Sequence, residues 1–217
     1  QINMLDSIIL EPEGRNTGPA MAVASFKALE NESDPIVLVL PADHIIKNKK
    51  AFTKTINESI DLLDHGKLIT FGIIPNEPHT GYGYIKRGKK LNNGYFTEQF
   101  FEKPNIDLAK KYISTSEFYW NSGIYLFKAN KFLEELEEFC PDVYDSCKEA
   151  SVKFSTDHEF IRMNEDKFKK CQSISIEHAV IEKTNDVVVV PMDVGWNDIG
   201  SWASLWDTSP KDSDGNV

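Results

Sequence analysis

The chain has 217 residues, of which 41% are hydrophobic and 27% are charged, and its formal net charge is −10. This length and composition suit one ordinary globular domain with a buried core. The acidic balance argues against nucleic acid as a partner, because binding to a phosphate backbone needs a concentrated lysine and arginine surface. No apolar run approaches the length that spans a bilayer, so we expect no membrane partner either.

The cysteine content indicates the redox compartment. Cys140, Cys147 and Cys171 form no Cys-x-x-Cys pair, and their number is odd. This pattern favours reduced thiols over a disulfide framework. Residues 1–6 show no signal-peptide pattern. We therefore expect a cytoplasmic protein.

The first half of the chain alternates between strand and helix patterns. Apolar runs predict strands over residues 8–10, 36–40 and 68–74, and amphipathic patterns predict helices over 18–30 and 49–64. Parallel neighbouring strands need a crossover connection, which is usually a helix. The alternation therefore predicts an α/β fold with a parallel sheet and helices on both faces.

The second half is less regular. Residues 84–88 and 95–102 alternate around the turn signal Asn92-Asn93-Gly94 and predict antiparallel strands added to that sheet. Further elements follow: strands at 118–127 and 187–190, a helix that Asn105 caps and that runs through Ile113, and helices at 129–139, 142–149, about 158–168 and 201–206. We find no internal boundary and predict one domain over 1–209, with a linker over 210–217.

Two aspartates follow apolar strand patterns. Asp43 follows the run that ends at Leu40, and Asp198 follows the run that begins at Val187. A carboxylate at the carboxyl end of a strand in an open α/β sheet lies where such folds bind ligands. Two carboxylates can share Mg²⁺ with water and substrate phosphates, so phosphoryl chemistry on a nucleotide is the first hypothesis. The alternative for each aspartate is that it only caps a helix.

Seven motifs then occur in order along the chain: Glu11–Ala20, Pro41–His44, Thr80–Ile85, Phe101–Pro104, Trp120–Ile124, Ser175–Lys183 and Gly195–Trp202. Together they resemble the mannose-1-phosphate guanylyltransferase family, including its members that are also phosphomannose isomerases, over essentially the whole chain. The resemblance implies a Rossmann-like nucleotide-diphospho-sugar transferase fold. Its sheet would be mixed but mostly parallel, flanked by helices and accompanied by an inserted sugar-binding region.

The resemblance implies that GTP and mannose-1-phosphate are the substrates, that GDP-mannose and pyrophosphate are the products, and that Mg²⁺ is the cofactor. The implied catalytic residues are Asp43, Asp198 and Lys103, and the two aspartates are also the implied metal ligands. The implied nucleotide-binding residues are Glu11, Arg15, Asn16, Thr17, Pro41 and Ala42. The implied sugar-binding residues are Gly83, Glu102, Asn121 and Glu177.

Elementary chemistry agrees with several of these roles. A carboxylate such as Glu11 can accept both adjacent N–H donors on the Watson–Crick edge of guanine. Lys103 offers a compact positive charge for the phosphate of the sugar. Each assignment has a structural alternative. Asn16 or Thr17 would only cap a helix, and Glu102 with Lys103 would be an exposed ion pair at a strand end.

Two features depart from the family's pattern. The Gly-rich loop that holds the triphosphate in family members is absent, so we expect a fragment that lacks the amino-terminal part. Glu177-His178 stands where the family usually has Asp-Tyr, which weakens the sugar assignment of Glu177. The segment also lacks the His-rich motif of an isomerase module and gives no support for isomerase activity.

These departures leave two other functions open. One is a catalytically incompetent sugar-nucleotide-binding or regulatory subunit. The other is a related pyrophosphorylase that uses another sugar-1-phosphate. A homodimer is a candidate assembly that the sequence does not decide.

Overall fold

The computed structural model describes residues 7–217, except for the side chain of Asp207. Residues 1–6, which we searched for a signal-peptide pattern, lie outside the described residues. Two compact units make up the chain, one of Gln1–Val37, Gly66–Leu68 and Phe127–Val187, the other of Leu38–His65, Ile69–Leu126 and Val188–Val217. One domain over 1–209 with a linker over 210–217 stays a prediction.

The strands are β1 (Ile8–Leu10), β2 (Ile36–Val39), β3 (Ile45–Ile46), β4 (Leu68–Ile73), β5 (Tyr84–Leu91), β6 (Gly94–Phe101), β7 (Phe118–Lys128), β8 (Ser155–Asp157), β9 (Phe160–Arg162), β10 (Val187–Met192) and β11 (Trp196–Asn197). The helices are α1 (Thr17–Leu29), α2 (Lys49–Leu63), α3 (Ile106–Thr115), α4 (Ala129–Phe139), α5 (Pro141–Ser151), α6 (Glu165–Phe168), the π-helix Glu177–Ile181 and α7 (Trp202–Thr208). None of the helices within residues 7–217 combines the length and apolar character needed to cross a membrane.

The main sheet has six strands in the order β2-β7-β4-β10-β6-β5, and β7 also pairs with β5. The α/β class is therefore confirmed. Four of its ladders, β4–β7, β10–β6, β5–β6 and β5–β7, are antiparallel, which is more antiparallel pairing than the alternation of elements predicts. The difference arises because β7 and β10, from the second half of the chain, enter the sheet on either side of β4.

The predicted hairpin is confirmed. β5 and β6 pair antiparallel from Leu91 opposite Gly94 to Tyr84 opposite Phe101. Asn92 has φ +49°, the left-handed conformation that asparagine tolerates in tight turns. The predicted cap of α3 is also present, because the Asn105 side chain accepts a 3.0 Å hydrogen bond from the backbone N–H of Leu108.

Two expectations are wrong in the first unit. β1 does not join the main sheet but pairs in parallel with β9, which in turn pairs antiparallel with β8. The helix predicted at about 158–168 is helical only over Glu165–Phe168, because residues 160–162 form β9. Ile161 there is buried while Arg162 is exposed, and this alternation suits a strand that has β1 and β8 as partners.

Gly72 occupies a crowded position in the centre of β4, a strand in which every residue is buried. A Cβ atom at this position would lie 2.6 Å from the Cβ of Tyr119 and 2.7 Å from a methyl carbon of Val189. Atoms this close must move apart, and both neighbours are buried in the sheet. The close approach of β4 to its neighbours therefore requires glycine here.

We expect Gly72→Ala to lower the free energy of unfolding by about 1–3 kcal/mol, because the added methyl overpacks the sheet. Urea denaturation followed by circular dichroism measures this loss. Gly14→Ala is the control, since no atom lies within 4 Å of a Cβ built there. Equal stability of the two variants would contradict the packing argument.

Candidate functional site

A two-stranded antiparallel ladder carries both predicted aspartates. β3 pairs with β11 so that Ile45 lies opposite Asn197 and Ile46 lies opposite Trp196. One step further along this register, His44 lies opposite Asp198, and Asp43 is next to His44 in the chain. Asp198 thus follows the short strand β11, which the sequence did not predict, and not the longer strand β10. The ladder brings Asp43, His44 and Asp198 to one end.

His44 is held by hydrogen bonding. The indole N–H of Trp196 donates to Nδ1 of His44 over 3.1 Å, so this nitrogen accepts and the ring proton of neutral His44 lies on Nε2. Nε2 is 3.8 Å from a carboxylate oxygen of Asp43, whose side chain is 83% exposed. Burial lowers the pKa of His44, and the charges of Asp43 and Asp198 oppose this shift.

Asp198 has its own set of donors. Its Oδ1 accepts a 3.0 Å hydrogen bond from the hydroxyl of Tyr82 and a 3.1 Å bond from the backbone N–H of Gly200. Burial and the hydrogen bond to Asp198 raise the pKa of Tyr82, which keeps this hydroxyl protonated as a donor. Ile199 lies between Asp198 and Gly200 with φ +49°, a rare conformation for a β-branched residue.

Three of the predicted sugar-binding residues meet in the same unit. The backbone N–H of Asn121 donates to the carbonyl of Gly83 over 2.8 Å. A Cβ on Gly83 would lie 3.4 Å from a carboxylate oxygen of Glu102 and 3.5 Å from the Cβ of Asn121. The absence of a side chain at Gly83 therefore leaves room between the carboxylate and the amide side chain.

Lys103 lies beside Glu102 at the end of β6. Its ammonium group is 3.4 Å from the Glu102 carboxylate, and the two side chains are 63% and 68% exposed. The exposed ion pair that we considered as an alternative is thus present. Lys103 has φ +35°, however, which an ordinary exposed lysine rarely adopts.

Pro41 lies close to the part of β7 in which the β4–β7 register is irregular. Gly123 has φ +66°, and a Cβ there would lie 3.6 Å from Cγ of Pro41. The Asn121 side chain accepts a 3.2 Å hydrogen bond from the Gly123 N–H, which supports this irregular backbone within β7. The exposed residues Ala42 and Asp43 follow Pro41 directly.

The first unit contains the other predicted nucleotide-binding residues. Oε1 of Glu11 is buried and has no hydrogen-bond partner among residues 7–217, and burial raises the pKa of this carboxyl group. Arg15 forms an ion pair with Glu13 and donates to the backbone carbonyl of Lys169. A buried carboxylate oxygen without a donor is costly unless a ligand supplies one.

Asn16 and Thr17 both make structural contacts. Asn16 is the N-cap of α1, and its side chain accepts a 2.8 Å hydrogen bond from the Thr17 N–H. The Thr17 hydroxyl accepts a 2.9 Å hydrogen bond from the backbone N–H of Ile176. Glu177 follows and begins the π-helix, a rare element that the sequence did not predict and that occurs frequently at functional sites.

Sequence reasoning missed the role of one aromatic cluster. Tyr82, to which the resemblance assigns no role, stacks on His79 with ring centroids 3.8 Å apart and contacts Trp196 edge-on at 5.2 Å. Tyr82 and Trp196 each hydrogen-bond a residue at the end of the β3–β11 ladder. The sequence offered one signal for this role: Tyr82 lies in the motif Thr80–Ile85, and Trp196 lies in the motif Gly195–Trp202.

The donor set fits a hard cation that is completed by other ligands. In the described part of the chain, no group of three or more His, Cys, Asp or Glu side chains could hold a metal ion. Two carboxylates near one ladder end suit a hard divalent cation, which can bind through one or two carboxylates together with water and other oxygen ligands.

Comparison with known protein families gives a match over nearly the whole chain. The model of the nucleotidyl transferase family matches residues 1–215. The chain belongs to the nucleotidyl transferase family.

Relatives within this family confirm the resemblance inferred from the motifs. A putative mannose-1-phosphate guanylyltransferase of Vibrio cholerae is 51% identical over 97% of this chain and 45% of its own length. A mannose-1-phosphate guanylyltransferase of Escherichia coli is 47% identical over 100% of this chain and 47% of its own length. The nucleotidyl transferase chain thus spans about half the length of these curated relatives.

A solved structure confirms the predicted fold. The crystal structure described as mannose-1-phosphate geranyltransferase from Thermus thermophilus is 30% identical to this nucleotidyl transferase chain, with a TM-score of 0.82. The match covers 94% of this chain and 58% of the other.

We expect His44 to titrate below its ordinary pKa of 6.5, because burial disfavours the imidazolium. Below about pH 6.5 the His44 imidazole is therefore protonated more readily in the unfolded chain than in the folded chain. The contribution of His44 to the free energy of unfolding falls as the pH falls through this range. NMR titration of the imidazole carbons measures the pKa. Trp196→Phe should raise this pKa, because it removes the donor to Nδ1. A wild-type pKa at or above 6.5 would contradict the expectation.

Proposed function

We propose that this protein is a mannose-1-phosphate guanylyltransferase. The observation that carries the proposal is the β3–β11 ladder, which sets two carboxylates at one end within a nucleotidyl transferase fold. A phosphate oxygen of mannose-1-phosphate forms a bond to the α-phosphorus of GTP. The bond from that phosphorus to the bridging oxygen breaks, and its electron pair leaves with pyrophosphate.

Asp43 and Asp198 would hold Mg²⁺. Their oxygens are hard donors, and the high exposure of Asp43 leaves space for water and phosphate oxygens. When bound, Mg²⁺ supplies charge neutralisation for the triphosphate. The contribution of the chain itself is to bring the two aspartates to one end through the ladder register and to orient the Asp198 carboxylate through the donors to its Oδ1.

Glu11 would read the guanine base. Its buried oxygen without a partner is the kind of acceptor that the N1–H and amino groups of guanine satisfy. Arg15, Asn16 and Thr17 would contribute through the start of α1, where helix N–H groups favour an anion or a polar ligand. Pro41 and Ala42 would line the ribose.

Mannose-1-phosphate would bind through two kinds of group. Gly83 leaves space between Glu102 and Asn121, whose carboxylate and amide can hydrogen-bond sugar hydroxyls. Lys103 would neutralise the sugar phosphate as an exposed point charge. Glu177 is assigned to the sugar on the motif alone.

The experiment that tests the function measures pyrophosphate release by the full-length protein in Mg²⁺. GTP, ATP, UTP and dTTP are each combined with mannose-1-phosphate and with glucose-1-phosphate. Release confined to GTP with mannose-1-phosphate supports the proposal. Release with another pair indicates a related pyrophosphorylase, and GDP-mannose binding without any release indicates a binding subunit.

We expect Asp198→Asn to lower kcat by about 100-fold or more while the affinity for GDP-mannose changes far less, because the lost charge acts on the transition state. Steady-state kinetics and calorimetric binding measure the two effects. Asp193→Asn, an exposed aspartate five residues earlier, is the control and should leave both unchanged. Equal losses of kcat and of affinity would contradict the catalytic role.

We expect Glu11→Gln to lower kcat/KM for GTP by about 10- to 100-fold, which corresponds to a charged hydrogen bond of about 1.5–3 kcal/mol. The amide of glutamine also presents an N–H where guanine needs an acceptor. The ratio of kcat/KM for GTP to kcat/KM for ATP should therefore fall. Glu32→Gln, at an exposed position in the same unit, is the control. Unchanged selectivity would exclude Glu11 as the reader of the base.

A further inference from the structure

We propose that Tyr82 is a positioning residue that fixes the carboxylate of Asp198, so that its second oxygen, Oδ2, is presented to a divalent cation. The inference rests on the proposed function, in which Asp198 is a metal ligand. It adds a residue and a chemical role that no motif assigned to Tyr82.

The two oxygens of Asp198 have different surroundings. Oδ1 accepts from the Tyr82 hydroxyl at 3.0 Å and from the Gly200 N–H at 3.1 Å. A carboxylate oxygen has two lone pairs, so two donors use the acceptor capacity of Oδ1. Among the described residues, none donates a hydrogen bond to Oδ2. The hydrogen bonds thus distinguish an anchored oxygen from one that is available to a ligand.

Gly200 keeps Oδ2 accessible. A Cβ on Gly200 would lie 3.0 Å from Oδ2 and 3.4 Å from Cγ of Asp198. Any side chain at this position would therefore press against the available oxygen. The turn that returns the Gly200 N–H to Asp198 passes through the left-handed conformation of Ile199 and is fixed by a 2.7 Å bond from the Ile199 N–H to the Asn197 side chain.

Tyr82 is suited to this role because its ring is immobilised. It is only 9% exposed, stacks on His79, and makes edge contacts with Trp120 at 5.0 Å and with Trp196 at 5.2 Å. These contacts involve the ring and not the hydroxyl. Removal of the hydroxyl alone should therefore leave the packing in place and release Asp198.

Groups that orient a metal ligand without touching the metal commonly change metal affinity or activity by about 10- to 100-fold when they are removed. For Tyr82→Phe we expect a rise of about tenfold in the Mg²⁺ concentration that gives half-maximal pyrophosphate release. Activity should return in excess Mg²⁺. The KM values for GTP and mannose-1-phosphate, measured in excess Mg²⁺, should stay near those of the wild type.

A direct binding measurement separates this inference from the proposed function. The probe is Mn²⁺, whose free concentration electron paramagnetic resonance reports, added to the full-length protein with saturating GDP-mannose. Tyr82→Phe should weaken Mn²⁺ binding by about tenfold. Gly200→Ala should weaken it as well, because its methyl group crowds Oδ2.

Tyr84→Phe is the matched control. The hydroxyl of Tyr84 donates to the backbone carbonyl of His79 over 2.8 Å, and the side chain is fully buried two residues from Tyr82. Its loss should lower the thermal midpoint and leave Mn²⁺ affinity unchanged. Circular dichroism of all three variants shows whether each one folds.

The outcomes distinguish the two hypotheses. Unchanged Mn²⁺ affinity in a folded Tyr82→Phe protein overturns the positioning role. The proposed function still holds in that case if the wild-type protein releases pyrophosphate from GTP with mannose-1-phosphate. An equal loss of affinity in Tyr84→Phe also overturns it, since the effect would be general loosening. Mn²⁺ binding that is weaker only in Tyr82→Phe and Gly200→Ala supports the positioning role. If the wild-type protein at the same time releases no pyrophosphate, the proposed function is overturned.

Discussion

The register of the short β3–β11 ladder is the constraint on which the second unit's chemistry depends. It sets His44 opposite Asp198 and thereby holds two carboxylates, those of Asp43 and Asp198, near one imidazole. The side chain of Asp43 is highly exposed, and Asp198 accepts hydrogen bonds from the Tyr82 hydroxyl and the Gly200 N–H.

Backbone conformation gives an independent indication of function. Six described residues other than glycine have positive φ. In three of them this conformation has an ordinary structural cause. Asn92 lies in a hairpin turn, Ser116 is the C-cap of a helix, and His158 lies in a second hairpin turn. Asn16, Lys103 and Ile199 lie within or directly next to the predicted nucleotide, sugar and metal residues. Strain of this kind persists where the surrounding structure enforces it, and it clusters at functional sites.

The first unit shows which predicted contacts are already engaged. The oxygens of Asn16 and Thr17 accept backbone hydrogen bonds, so any ligand contact through them competes with the local structure. Glu11 differs because one of its buried oxygens has no donor in the described structure. The contrast makes Glu11 the strongest of the predicted nucleotide-binding residues, on the physical ground that a ligand donor would remove a desolvation cost.

The sequence by itself determined the local elements and the motifs. The cap at Asn105, the turn at Asn92 and the buried strand β4 depend on neighbouring residues, and local patterns record them. Only the tertiary structure decided that β1 pairs with β9 and not with the main sheet, since a three-residue apolar strand can pair with any free strand edge. The tertiary structure also decided that Asp198 follows β11 and that the Tyr82 hydroxyl donates to the Asp198 carboxylate. Strands β3 and β11, like Tyr82 and Asp198, are more than 100 positions apart in the chain. They meet through sheet register, which no local sequence pattern encodes.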